Sequence, residues 1–213
     1  MGTLLIAGAG GHGKVIADAA LSTGRWDDVL FLDDAWPEKK ENGRWDIRGK
    51  IENLPEWRIH CSDAVAAIGD NRLRLIFQHR LADAGFQIAS VVHPSAQISP
   101  FCRIGAGSVV FANAVVNVDA VIGEGTIINT AATIDHDCRL GIGVHVSPGA
   151  HLAGRVSVGE FSWIGIGSVV REMISIGSDV IVGAGAAVVT NVPDGMTVMG
   201  VPARPKNNGD ESC

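Results

Sequence analysis

From Ile98 to Val188 a large aliphatic residue occupies every sixth position without interruption, sixteen times in all. A second column runs four residues behind the first, from Cys102 to Val192, and every member is small or β-branched. An α-helix would place its apolar residues at i, i+3, i+4 and i+7. A half-buried strand would alternate with period two. A period of six suits a short strand, a turn and another short strand, and three such faces make one coil of 18 residues. Gly105, Gly123, Gly141, Gly159 and Gly177 repeat at that spacing of 18. The pattern predicts a triangular prism of parallel strands. Position n stacks on n+18 at about 4.8 Å, and successive coils satisfy each other's backbone groups. The aliphatic column is expected at the corners pointing inward, with the small column filling the remaining interior. The stacked glycines are expected along one edge, where a tight turn calls for positive φ.

Residues 1–92 read differently. Leu4–Ala7, Val29–Leu32, Ala64–Ile68 and Ile88–Val92 are apolar runs of strand length. Lys14–Ser22 and Arg72–Ala84 carry helical spacing, and Gly85 is placed to cap the second helix. The polar stretch Ala35–Trp57 reads as a long loop with a short strand near Asp46–Gly49. Strands alternating with helices give a small Rossmann-like α/β unit with a parallel sheet. The expected division is therefore 1–92 α/β, 93–204 prism and 205–213 a polar disordered tail.

Composition narrows the partners. A net charge of −6 disfavours nucleic acid and anionic membranes. No apolar run approaches the ~18 residues of a membrane span. The first residues lack a basic region and run straight into a glycine motif, so they read as a strand and not a signal peptide. Cys102 and Cys138 share one inward column two coils apart, about 10 Å by strand spacing, too far for a disulfide. Buried free thiols point to a reducing compartment, the cytoplasm.

Candidate chemistry lies in two places. Gly8, Gly10 and Gly13 form G-x-G-x-x-G between a strand and a helix, with Asp33 about 20 residues on. Such glycines let backbone N–H groups approach a pyrophosphate at a helix N-terminus. NAD is one ligand of that description. Four strands are few for a full dinucleotide fold, and a nucleotide sugar fits a single half better. On the prism, polar residues cluster between Asn129 and His151. His136 falls two residues after an aliphatic position and should face outward, between Asp135 and Asp137, with Gly154 stacked above it. That glycine would leave room for a ligand beside the ring. An imidazole next to a carboxylate suits general-base work at neutral pH. His136, His145 and His151 also raise zinc, but they differ in phase along the repeat, so no metal is expected.

Gly8–Gly13, Phe31–Asp34, Ala67–Asn71, Asn129–Ala131, Asp135–Cys138, His145–Ala150 and Gly200–Ala203 occur in an order that resembles the bacterial hexapeptide-repeat sugar acetyltransferases. The type is that of sialic-acid O-acetylation and the bacillosamine pathway. The resemblance runs from Leu4 to about Arg204. It implies a left-handed β-helix, a homotrimer, and acetyl-CoA between neighbouring prisms. The acceptor it implies is the 4-amino group of a UDP-4-amino-4,6-dideoxy-N-acetylhexosamine. It implies His136 as general base, Asp137 as its partner acid and Asn129 beside them. His145, Gly154, Ile166 and Ala184 correspond to acetyl-CoA contacts. Gly10, Gly11, His12, Asp33, Asp34 and Gly69 correspond to nucleotide-sugar contacts. Asp137 and Asp70 depart from residues common in relatives. O-acetylation of a sugar, and a non-catalytic nucleotide-sugar-binding scaffold, are the alternative readings.

Overall fold

The structure is a computed structural model and describes residues 2–206. The front unit is one six-stranded sheet. Its strands are β1 (Thr3–Ala7), β2 (Asp28–Leu32), β3 (Glu41–Asn42), β4 (Trp45–Gly49), β5 (Asp63–Ala66) and β6 (Gln87–Ile88), in the order β3-β4-β2-β1-β5-β6. All neighbours are parallel except β3 and β4. Its helices are α1 (Gly11–Ser22), α2 (Leu54–Trp57) and α3 (Asn71–Asp83). Leu4–Ala7 are fully buried because parallel strands are covered on both faces.

Behind it stands a left-handed parallel β-helix of two-residue strands on three faces. The first face carries Val91–Val92, Val109–Val110, Ile127–Ile128, His145–Val146, Trp163–Ile164 and Ile181–Val182, then Thr197–Met199 and Arg204–Pro205. The second runs from Gln97–Ile98 to Ala187–Val188, and the third from Arg103–Ile104 to Ser175–Ile176. Each strand pairs with the one 18 residues on, Ile127 with His145 and His145 with Trp163. The inner columns are the ones the repeat foretold. The aliphatics from Val110 onward are nearly all below one-twentieth exposed, and Ser108, Thr126 and Ser162 are fully buried among them. Their hydroxyls donate to Gly123, Gly141 and Gly177 carbonyls on the next coil, so the polar atoms are satisfied inside.

Four expectations need correction. The aliphatic column is the second residue of each strand, not the corner; the turns lie two and three residues later, as at His136 and Asp137. The strand expected at Ile88–Val92 is two strands: β6 closes the front sheet, and Val91–Val92 pairs with Val109–Val110 as the first rung of the prism. Position 92 already keeps the six-residue beat. Ala35–Trp57 is not one loop; it holds the β3–β4 hairpin and α2. Lastly, Gly105, Gly123, Gly141, Gly159 and Gly177 do not sit at positive φ. A Cβ at Gly123 would lie 2.5 Å from the Gly141 carbonyl carbon, and one at Gly159 would lie 2.4 Å from the Ser178 amide. The column is glycine because successive coils touch there. The positive φ falls on the second turn residue, filled by Gly107, Gly125 and Gly143 but also by Asn113, Asp137 and Arg155.

Front unit and prism share a core. Leu4, Ile6, Ile16 and Phe31 pack in one cluster with Val91, Val109, Phe111 and Ile127 of the first face. Arg204–Pro205, expected to open the tail, pairs antiparallel with Thr197–Met199. The tail expected at 207–213 lies outside the described residues.

Candidate active site

The glycine turn divides its glycines by task. At Gly13 a Cβ would fall 2.5 Å from the Gly8 carbonyl and 2.9 Å from the Phe31 ring, so this residue lets α1 close on the sheet. Gly8 has φ 110° and faces the Ala67 carbonyl. Around Gly10 and Gly11 a Cβ would meet nothing within 4 Å, and both are exposed. The open side of the turn, the start of α1 with its unpaired N–H groups, is where an anion would be held. Asp33 and Asp34 are partly committed already. Asp33 accepts from the Ala9 amide at 2.6 Å and the Ala35 amide at 2.9 Å, and Asp34 from the Ile51 amide at 3.1 Å. Two residues of the stretch read as loop reach the same turn: the Lys39 ammonium donates to the Ala9 carbonyl and the Asn42 amide to the Gly10 carbonyl. Gly69 is exposed at the next strand end, and Asp70 beside it caps α3 by accepting from the Leu73 amide.

His12, in the first turn of α1, stands edge-on to Phe111 at 5.6 Å between centroids. Burial, with the charge of Arg74 second, lowers its pKa to about 4. His145, on the first face of the prism, is only 8% exposed and stacks on Trp163 at 4.7 Å. Its pKa falls to about 3, chiefly through burial and then through Arg74 and His12. Asn129 fixes its tautomer. The Asn129 side-chain carbonyl accepts from the Thr130 amide, which turns the NH2 group toward His145 Nε2 at 3.3 Å. Nε2 is thus the acceptor, and Nδ1 carries a proton with no partner among the described residues. His12 Nε2 is likewise unpartnered. Two neutral imidazoles, one from each unit, therefore face the junction with unspent hydrogen-bonding capacity.

His136 and Asp137 are elsewhere, on the turn that joins the second face to the third. His136 Nδ1 lies 2.8 Å from Asp137 Oδ2. A carboxylate only accepts, so Nδ1 carries the proton and Nε2 is left as the base. This hydrogen bond is the first cause of the lowered Asp137 pKa, with Arg155 contributing. Asp135 acts on the backbone instead: it accepts from the His136 amide at 2.7 Å and from Asn117 at 2.9 Å. A Cβ at Gly154 would fall 2.5 Å from His136 Nε2. The room above that glycine, expected to be open to a ligand, is taken by the imidazole itself. Ile166 and Ala184 are exposed on a third location, the turns between the first face and the second.

One chain thus brings His12, His145 and Asn129 together and leaves His136–Asp137 with Gly154 on a different edge from Ile166 and Ala184. The three prism histidines do not converge. His151 is on the second face, with Nδ1 held by Thr133 at 2.9 Å. Residues 3–81 match the family described as the PglD N-terminal domain. The acetyltransferase domain of PglB from Neisseria gonorrhoeae, solved in complex with acetyl coenzyme A, is 44% identical with a TM-score of 0.92, covering 96% of this chain and 98% of that one. The chain belongs to the acetyl-CoA-dependent sugar N-acetyltransferase family. PerB from Caulobacter crescentus, solved with CoA and GDP-perosamine, is 40% identical over 97% of this chain and 98% of its own, with a TM-score of 0.92. UDP-N-acetylbacillosamine N-acetyltransferase of Bacillus subtilis (strain 168) is 39% identical over 116 residues, and the match spans about half (52%) of that relative. Among family members, then, nucleotide-linked amino sugars with different bases are represented. No helix among the described residues is long and apolar enough to cross a membrane.

The sequence reading missed Arg74, Phe111, Trp163 and Lys39. Arg74 and Lys39 read as solvated charges, and Phe111 and Trp163 as ordinary outward residues. The one available signal was that Phe111 and Trp163 are aromatic at positions flanking the first-face column.

Proposed function

We propose that the chain transfers the acetyl group of acetyl-CoA to the 4-amino group of a UDP-4-amino-4,6-dideoxy-N-acetylhexosamine, with His136 as general base, as a cytoplasmic homotrimer. The observation that carries the reading is the His136 ring, clamped at Nδ1 by Asp137 and offering an unprotonated Nε2. The amine attacks the thioester carbonyl, and its proton passes to Nε2. As the tetrahedral intermediate collapses, the C–S bond breaks and the imidazolium returns the proton to the leaving thiolate. Asp137 favours the imidazolium by its negative charge. The turn at Gly154 is the side on which the thioester carbonyl is polarised. The nucleotide sugar enters over Gly10, Gly11 and Gly69, with Asp34 toward the base and His12 toward the diphosphate or sugar. His145 and Asn129 face the reacting ends.

The trimer follows from the same placement. Ile166 and Ala184, the proposed acetyl-CoA contacts, lie one face away from His136 and Gly154. A groove containing both sets needs the edge of one copy against the edge of the next. The face between those edges carries Val115, Val169 and Ala187, and Val169 is 44% exposed in the single chain. The assignment is tested by thiol release from acetyl-CoA with the UDP-linked 4-amino sugar, the GDP-linked one, and no acceptor. Turnover with the UDP sugar and a mass gain of one acetyl group is the expected result. Turnover with the GDP sugar alone would move the nucleotide assignment to the PerB type, and none with either would refute the transferase reading.

A further inference from the structure

Helix α3 docks on the prism edge where the third face turns into the first, and its contacts follow the coil period. Asn71 donates to the Phe161 carbonyl at 2.8 Å, Arg74 to the Gly143 carbonyl at 2.9 Å and the Gly125 carbonyl at 2.7 Å, and Gln78 to the Ala106 carbonyl at 3.0 Å. Positions 161, 143 and 125 are spaced by one coil of 18 residues, and 106 belongs to the turn of the coil below. The central residue of this ladder differs from its neighbours. Arg74 is 1% exposed, and its guanidinium also donates back to the front unit, to Ile68 at 3.1 Å, Gly69 at 3.2 Å and Asn71 Oδ1 at 2.9 Å. Its partners are four carbonyls and one amide oxygen. Among the described residues no carboxylate forms an ion pair with it; Asp70, the cap of the same helix, is the acid whose charge bears on it.

A fully buried cation held only by neutral acceptors is costly to keep. The acceptors it uses join both units at one point: the strand-end turn at Gly69 and two prism coils. Its charge reaches His12 and His145, the two imidazoles at the junction. We propose that Arg74 is the positioning residue for the nucleotide diphosphate. It fixes the Gly69 turn against the prism and supplies the positive potential that the bound anion neutralises. The inference rests on the nucleotide-sugar reading above and extends it to a residue that contacts no acetyl-CoA.

Calorimetric binding of UDP, with GDP as a second probe, to the full chain separates the outcomes. Arg74→Gln should weaken nucleoside diphosphate binding by about ten-fold or more, since a charged, forked donor is lost. The acetyl-CoA affinity of the same protein should stay within about two-fold, as no acetyl-CoA contact is touched. Arg74→Lys keeps the charge but not the fork and should fall between. NMR titration of His12 and His145, which face Arg74 together with Asp70, should show both rings taking up protons at higher pH in Arg74→Gln than in wild type, which packing damage alone would not produce. Unchanged diphosphate affinity in Arg74→Gln, or equal loss of diphosphate and acetyl-CoA binding, would overturn the proposal. A wild type that binds neither diphosphate overturns it as well; acetyl transfer to a free amino sugar by that same protein would leave the transferase reading standing.

Discussion

At the scale of single residues, the chemistry depends on which nitrogen of each histidine is engaged. His136 is held at Nδ1 by Asp137 and His145 at Nε2 by Asn129, so one presents a lone pair and the other an N–H. Gly154 sets the position of the first. Gly154→Ala puts a methyl group where the His136 ring lies, and the ring is the group that can move. Activity should drop about 10²-fold for a displacement near 1 Å, while thermal unfolding changes little; an unchanged rate would show that the ring does not work from this position. The buried histidines also give a pH dependence. His12 and His145 have folded pKa values near 4 and 3, below the ordinary 6.5. The unfolded chain therefore binds more protons below pH 6.5, and stability present above that pH is lost as pH falls toward 4. Two such groups contribute a slope of order 2 kcal/mol per pH unit. Urea midpoints measured between pH 6.5 and 5, above most carboxylate titration, should fall accordingly, and less steeply in His145→Asn.

At the scale of elements, the prism was legible because every coil repeats one steric problem. An interior slot that takes one large and one small side chain per face writes itself into the chain every sixth residue. What the spacing does not encode is why a position is glycine. Gly123 and Gly143 both recur with the coil, yet the first is required by backbone contact and the second stands at φ 65°. Gly123→Ala and Gly143→Ala both meet short contacts, but Gly123 presses on backbone, which cannot swing away, whereas Gly143 meets the Phe161 ring. Overpacking of this kind costs about 1–3 kcal/mol. Gly123→Ala should lower the unfolding free energy by at least that much in chemical denaturation. A value near zero would mean that the coils separate more easily than their hydrogen bonds suggest. The β3–β4 hairpin was not legible because its strands are short and polar and form only by pairing along β2. The ladder Asn71, Arg74, Gln78 looked like a solvated helix face, since a sequence does not show that exposed carbonyls wait opposite it.

At the scale of the whole molecule, the candidate site was legible as a set of residues but not as an assembly. The glycine turn, Asn129, His136, Asp137 and His145 all carry recognisable chemistry in the chain. Their distribution over different faces and edges appears only in three dimensions, and it is this separation that calls for neighbouring copies. Light scattering should give three times the 22.2 kDa chain mass. Val169→Asp, on the second face and remote from the glycine turn, should dissociate the assembly and abolish acetyl transfer while leaving UDP binding to the front unit nearly intact. A monomeric, fully active wild type would refute the shared groove.

The most direct test of the whole account is the steady-state rate of acetyl transfer in His136→Ala. The account predicts a fall in kcat of about 10²–10⁴-fold, with KM for both substrates within a few-fold of wild type, because the base acts on the proton and holds neither substrate. A kcat within a few-fold of wild type would contradict it.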